Sequence, residues 1–306
     1  MEHSLEIIKE NELKGHNGAI YKLQYDTIND VIYSAGGDGW IVKWDANGQN
    51  QDGFLIAKTD AKIFSMLAIP AKNLIIAGDM DGHIYWIDTQ KSTVISRVVA
   101  HQKAVFDIIQ INDFQIVSVG KDGLVTFWSL EHFKPELSVR INAKGLRCLK
   151  LHPSSQALYI GSSDHHIYKV DLKDYAVSTF IENAHENTVF SLLIYNDLTL
   201  ISGGRDAHLK SWTLGKNTEA TQSLPAHWYT INDMLSVDQL WLFTASRDKS
   251  IRIWSLPELE AIKLIDVQKG GHINSVNTLA WVPDHQLLFS AGDDRTIKVW
   301  KILYAH

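Results

Sequence analysis

An aspartate returns along this chain at Asp38, Asp81, Asp122, Asp164, Asp206, Asp248 and Asp294, at intervals of 41 to 46 residues. The surrounding string returns with it. SAGGDGWIVKWD at 34–45 comes back as IAGDMDGHIYWID, VSVGKDGLVTFWS, IGSSDHHIYKVD, ISGGRDAHLKSWT, FTASRDKSIRIWS and FSAGDDRTIKVWK. No other feature constrains the fold as much. A unit of this size cannot bury both faces of a sheet alone, so copies must stack on one another. Length by itself would suggest about two ordinary domains. Seven copies fill residues 1–306 without a linker, which predicts a single domain instead.

Each unit holds several short runs rich in Ile, Val, Leu, Tyr, Phe and Trp, separated by polar turns and without a helical stripe. Asp-Gly at 38–39, 81–82 and 122–123 is a hairpin signal, because both residues tolerate the left-handed backbone of a tight turn. A unit of this length accommodates four antiparallel strands of about five or six residues. The expected fold is all-β: seven four-stranded antiparallel blades around an axis, with only short, protected edges.

Five units share more than the aspartate. A His precedes it by 21 or 22 residues (His16, His101, His185, His227, His272). A hydroxyl precedes it by four (Ser34, Ser118, Ser202, Thr244, Ser290), and a Trp follows by six (Trp44, Trp128, Trp212, Trp254, Trp300). In this the chain resembles the WD-repeat family of seven-bladed β-propellers, over essentially its whole length. The resemblance implies a ring closed by the N-terminus: residues 5–9 (LEIIK) would supply the outer strand that the last blade lacks.

Ser, His and Asp are also the residue types of a hydrolase, but a catalytic site would break the symmetry by appearing once. Five equal sets, each tied to a Trp, read as structural rivets: indole to hydroxyl, hydroxyl to imidazole, imidazole to carboxylate. The second and fourth units lack all three partners. Ala77 or Ile160 fills the hydroxyl slot and Ile87 or Val170 the Trp slot, so apolar packing is expected to replace the network there.

The balance of 29 basic and 35 acidic residues, a net charge of −6, argues against DNA or any general phosphate-backbone partner. Cys148 is the only cysteine, the N-terminal residues do not form a secretory signal, and no apolar stretch is long enough to span a membrane. A cytoplasmic protein is expected. Neither cofactor nor metal is expected. No phosphate-binding glycine loop occurs, and His83, His165, His166 and His208 read as solvated turn residues without zinc-ligand spacing.

Function should occupy the slots that vary. Four residues after the His position every unit is apolar, and the next residue differs: Tyr21, Phe64, Phe106, Arg147, Phe190, Asn232 and Asn277. The resemblance implies that this slot lies at the mouth of the central channel, where partners dock. The residue before the Asp varies too, and Lys121, Arg205 and Arg247 make that face basic, with Asp293 the acidic exception. Trp228, Tyr229 and Trp40 add aromatics to the same end. Together these eleven residues, Asn232, Asn277 and Asp293 aside, predict a non-catalytic scaffold. It would be a monomeric propeller within a complex, holding a protein or peptide with acidic and apolar side chains on its top face. The alternatives are an enzyme at the channel mouth, or phosphoprotein or RNA binding by the basic patch. The mouth slots contain Arg147 and amides but no carboxylate or His, which disfavours the enzyme.

Overall fold

The computed structural model describes residues 5–215 and 219–304. Among these residues, twenty-eight strands form seven four-stranded sheets, and the helical content is confined to three short 3-10 turns. In six sheets the four strands follow chain order, antiparallel throughout. Blade 1, for instance, runs through Ile20–Asp26, Val31–Gly36, Trp40–Asp45 and Phe54–Lys58, which we call strands a to d from the axis outward.

The seventh sheet is composite. Val276–Val282, Leu287–Gly292 and Thr296–Tyr304 come from the end of the chain, and the outer strand is the N-terminal Leu5–Lys14. Its pairing runs from Leu5 opposite Tyr304 to Lys14 opposite Thr296, with one bulge between Lys9 and Asn11. The closing strand is therefore ten residues long, twice the five that the LEIIK run indicates.

The second strand of each blade is apolar on both faces because both are covered by neighbouring blades. All six residues of VIYSAG (Val31–Gly36) are buried. Seven hydrophobic clusters are found among the described residues, and each is shared between two adjacent blades. The core is thus a ring of interfaces around an open axis.

The turn joining strands b and c has the same shape in every blade. The residue after the repeat Asp has φ between +66° and +94°, whether it is Gly (Gly39, Gly82, Gly123) or not (His165, Ala207, Lys249, Arg295). At Gly82 the glycine is obligatory for a second reason: a Cβ there would lie 2.1 Å from the His101 carbonyl oxygen.

Candidate functional site

The five His networks are closed and buried. In blade 1, Trp44 Nε1–H donates to Ser34 Oγ (2.8 Å), and Ser34 Oγ–H donates to His16 Nε2 (2.7 Å). His16 Nδ1–H then donates to Asp38 (2.9 Å), so the donor order fixes the tautomer. The same chain recurs at His101, His185, His227 and His272, with each His–hydroxyl and Trp–hydroxyl distance between 2.8 and 2.9 Å. The Asp also accepts backbone N–H groups, as Asp38 does from Asn17 and Trp40, and so ties the d-to-a loop to the b-to-c turn. Burial pushes the Asp206 carboxyl upward, but hydrogen bonds from His185 and from backbone N–H groups outweigh it and hold the pKa at about 2. Burial lowers the pKa of His185, so its neutral form is favoured.

Blades 2 and 4 differ from the expectation of apolar replacement, because each has a substitute polar network. In blade 4, Asn142 Nδ2 reaches Ser162 Oγ (2.8 Å) and Asp164 Oδ2 (2.9 Å), and Tyr168 Oη–H donates to the same carboxylate (2.8 Å). In blade 2 the interior carboxylate is Asp79, fully buried, while the repeat Asp81 is exposed. Asp79 accepts from His83 Nδ1–H (2.9 Å) and Tyr85 Oη–H (3.1 Å), and Arg97 donates to His83 Nε2 (3.0 Å). His83 is therefore a network member and not a solvated turn residue. His165 and His166 are likewise bonded to the backbone of Glu186 and Asn183. A carboxylate, buried or half-buried, at the b-to-c end of the sheet is what these blades share with the other five; its partners are interchangeable.

The variable slot is a bulge. In all seven inner strands the register slips by one residue at the same place, leaving Tyr21, Phe64, Phe106, Arg147, Phe190, Asn232 and Asn277 as the extra residues. A bulge re-aims the side chain it carries. All seven line the central cavity, of about 720 Å³, and all are half-buried. Five form a continuous arc: Tyr21 to Phe64 is 5.0 Å between ring centroids and Phe64 to Phe106 is 6.0 Å. The Arg147 guanidinium then sits 3.9 Å from the Phe106 centroid and 5.0 Å from that of Phe190.

The slip also changes the phase of the strand. The next residue, which simple alternation would send back to the core, faces the channel: Lys22, Asp107, Cys148, Ser191, Asp233 and Thr278 line it below the arc. Among the described residues, the channel below the mouth slots is therefore lined by two carboxylates, which the sequence reading did not place there, and by two lysines, because Lys150 also lines it. These side chains bridge blades. Asp107 accepts N–H bonds from Ile108 and from Leu149 of the next blade, and Asp233 from Met234 and from Leu279 of the next. Thr278 accepts from Leu23 N–H, and Ser65 Oγ donates to the Val105 carbonyl. Burial raises the Asp107 carboxyl, opposed by Lys22, whose Nζ lies 3.8 Å away. Burial also raises the Cys148 thiol, which is neutral.

Lys121, Arg205 and Arg247 are exposed, each with its backbone N–H pinned to the carbonyl of Ala104, Thr188 or Thr230. Trp228 and Tyr229 are 80% and 59% exposed, and the Arg247 guanidinium lies 6.0 Å from the Tyr229 ring centroid. Ile273, which the sequence reading missed, occupies the Trp228 slot of blade 7 and is 60% exposed. Trp228 N–H and Ile273 N–H both donate to their blade's Asp, so position after the His was the available signal. Trp40 differs: it is half-buried against the core between blades 7 and 1, and it does not line the channel.

Comparison with known proteins agrees with the geometry. The family model for "WD domain, G-beta repeat" matches residues 8–45, 218–255 and 264–301. Protein SPA1-RELATED 3 of Arabidopsis thaliana is 24% identical over 219 residues, which is 68% of this chain and 26% of that protein. The E3 ubiquitin-protein ligase COP1 of Pisum sativum is 25% identical over 151 residues, 48% of this chain and 22% of the ligase. Denticleless protein homolog A of Xenopus laevis is 23% identical over 318 residues, 95% of this chain and 36% of that protein. The matched stretch is thus between about a fifth and a third of each relative's length. The chain is a seven-bladed β-propeller, and three of its stretches match the WD-repeat model.

Proposed function

We propose that this propeller is a protein-interaction scaffold that holds a peptide or loop of a partner at the mouth of its central channel. One observation carries the reading. Four aromatic rings and an arginine, the side-chain types that most often anchor interfaces, form an unbroken half-buried arc from Tyr21 to Phe190. Exposed Trp228, Tyr229 and Ile273 on the same face extend it. A partner docking here meets loops already pinned by the Asp networks, so little ordering entropy opposes binding.

Catalysis in the channel has less support. Asp107 and Asp233 are the carboxylates such a reaction would recruit, and each is committed to N–H groups of two blades. The similarity to an E3 ubiquitin-protein ligase extends over 22% of that protein, and supports membership of a larger assembly more than an activity of this chain. A cytoplasmic setting is part of the same reading, supported by a single, buried, neutral thiol at Cys148.

The test is affinity capture from native extract with mass-spectrometric readout, comparing wild type with Phe64→Ser/Phe106→Ser/Phe190→Ser. The variant's melting temperature is checked first. A partner kept by wild type and lost by the folded variant supports the mouth. Equal recovery of that partner moves the site to the blade edges or the bottom face.

A further inference from the structure

Arg147 differs from every other member of the arc, because it is a charge where its neighbours are rings or amides. Its guanidinium is sandwiched between Phe106 and Phe190, and Nε donates to Ser163 Oγ at 3.2 Å. Among the described residues, the two terminal nitrogens have no protein acceptor and no carboxylate lies within ion-pairing distance. Burial disfavours the charged form, and Arg205, a second cation with no ion-pair partner among the described residues, disfavours it further. Lys121 belongs to the same corner, since its backbone passes within about 3 Å of where a Cβ on Gly145 would sit, two residues before Arg147. Two neighbouring cations oppose each other, and neither forms an ion pair with a carboxylate among the described residues. Nearly across the ring, Asp293 is exposed, accepts an N–H from Asn277 (2.7 Å) and pairs with no cation among the described residues. The mouth is therefore dipolar, cationic over blades 4 and 5 and anionic over blade 7.

We propose that the terminal nitrogens of Arg147, supported by Arg205, receive one carboxylate of a peptide laid across the mouth, with an apolar side chain next to that acid seated on Phe64 and Phe106. This rests on the mouth being a peptide site. With Nε already bonded to Ser163, the guanidinium presents one edge of two nitrogens, and a carboxylate's two oxygens match that edge. Asp293 sets the direction, since an acid at that end meets like charge.

The probe is a phage-displayed random heptapeptide library selected on the full chain, followed by fluorescence anisotropy of individual peptides. Enriched peptides are expected to carry Asp or Glu beside a large apolar residue. Replacing that acid by its amide should weaken binding to wild type on the order of ten- to a hundred-fold. It should cost little on Arg147→Met, which keeps the stem between the two rings. Arg205→Met, on an exposed side chain, provides a second variant with a smaller loss should Arg147→Met fail to fold. If the amide weakens both proteins equally, or neither, the carboxylate assignment fails while loss of binding in Phe64→Ser preserves the mouth as the site. Phosphoserine outbinding the acid on wild type but not on Arg147→Met would replace carboxylate by phosphate and overturn the assignment. Selected peptides indifferent to Phe64→Ser, or no enrichment at all, would overturn both readings.

Discussion

Thr244 does in blade 6 what serine does in the other four His networks, and its extra methyl allows hydroxyl and volume to be separated. Thr244→Val keeps the shape and strands His227 Nε2 and the Trp254 indole N–H in a fully buried site, which is expected to cost about 2–4 kcal/mol. Thr244→Ser keeps both bonds and should cost about 1 kcal/mol for the methyl. Denaturant unfolding of the pair checks this, and equal losses would mean that packing, not the network, stabilises the blade. The networks also predict acid sensitivity. The pKa of Asp206, of Asp294 and of Glu12 is held at about 2, below ordinary values of 3.8 for Asp and 4.5 for Glu. A depressed carboxylate contributes stability above its unfolded pKa and loses it as pH falls toward the folded one. Melting temperature is therefore expected to drop mainly between about pH 4.5 and pH 2. The lowered pKa of His185 acts in the same direction and starts earlier, below its ordinary 6.5. A flat melting profile from pH 6 to pH 3 would count against this account. Five of these networks were legible in the sequence because their spacing is regular. The substitutes around Asp79 and Asn142 were not, because there other residue types and other offsets meet the same hydrogen-bonding need.

At the scale of elements, the closing strand Leu5–Lys14 gives the sharpest prediction. Leu5 and Leu13 are 4% and 1% exposed, and Glu12 bonds Lys298, itself 5% exposed, at 2.9 Å. Deleting residues 1–10 opens the ring and should cost several kcal/mol, Leu5 alone accounting for about 2. An unchanged melting temperature would refute closure by this strand. Glu12→Gln keeps the strand but leaves Lys298 without its counter-charge, a loss of about 1–3 kcal/mol. The inner strands show where sequence reading stops. Repeat spacing located the bulge residues Tyr21 through Asn277, but period-two alternation sends the following residue into the core. The register slip reverses that parity, which is why Asp107 and Asp233 went unseen as channel residues. A bulge changes hydrogen bonding without changing composition, so it leaves no trace in a single sequence. Trp40 packs partly against the core between blades 7 and 1, because a turn position does not fix which way a large ring lies.

At the scale of the whole molecule, the ring is held by seven interfaces and by a belt of polar bridges on its inner wall. Asp233→Ala removes the acceptor for N–H groups on two blades at once, Met234 and Leu279. It should cost about 2–4 kcal/mol and increase hydrogen exchange at both amides, with distant blades unchanged. Uniform acceleration over all seven blades would show instead that the ring opens only as a unit. The top face depends on this stiffness, because the arc from Tyr21 to Phe190 draws one residue from each of five blades and has its shape only while the ring is closed. The pairing that closes it has a further, mechanical consequence. Leu5 lies opposite Tyr304, so the two strand ends are neighbours at the open end of one antiparallel pair. A tensile load between residues 5 and 304 meets the hydrogen bonds one after another, as a zipper does, rather than shearing them together. The propeller should therefore yield to such a pull at lower force in an optical trap than when held between residues in two interior blades, however high its melting temperature.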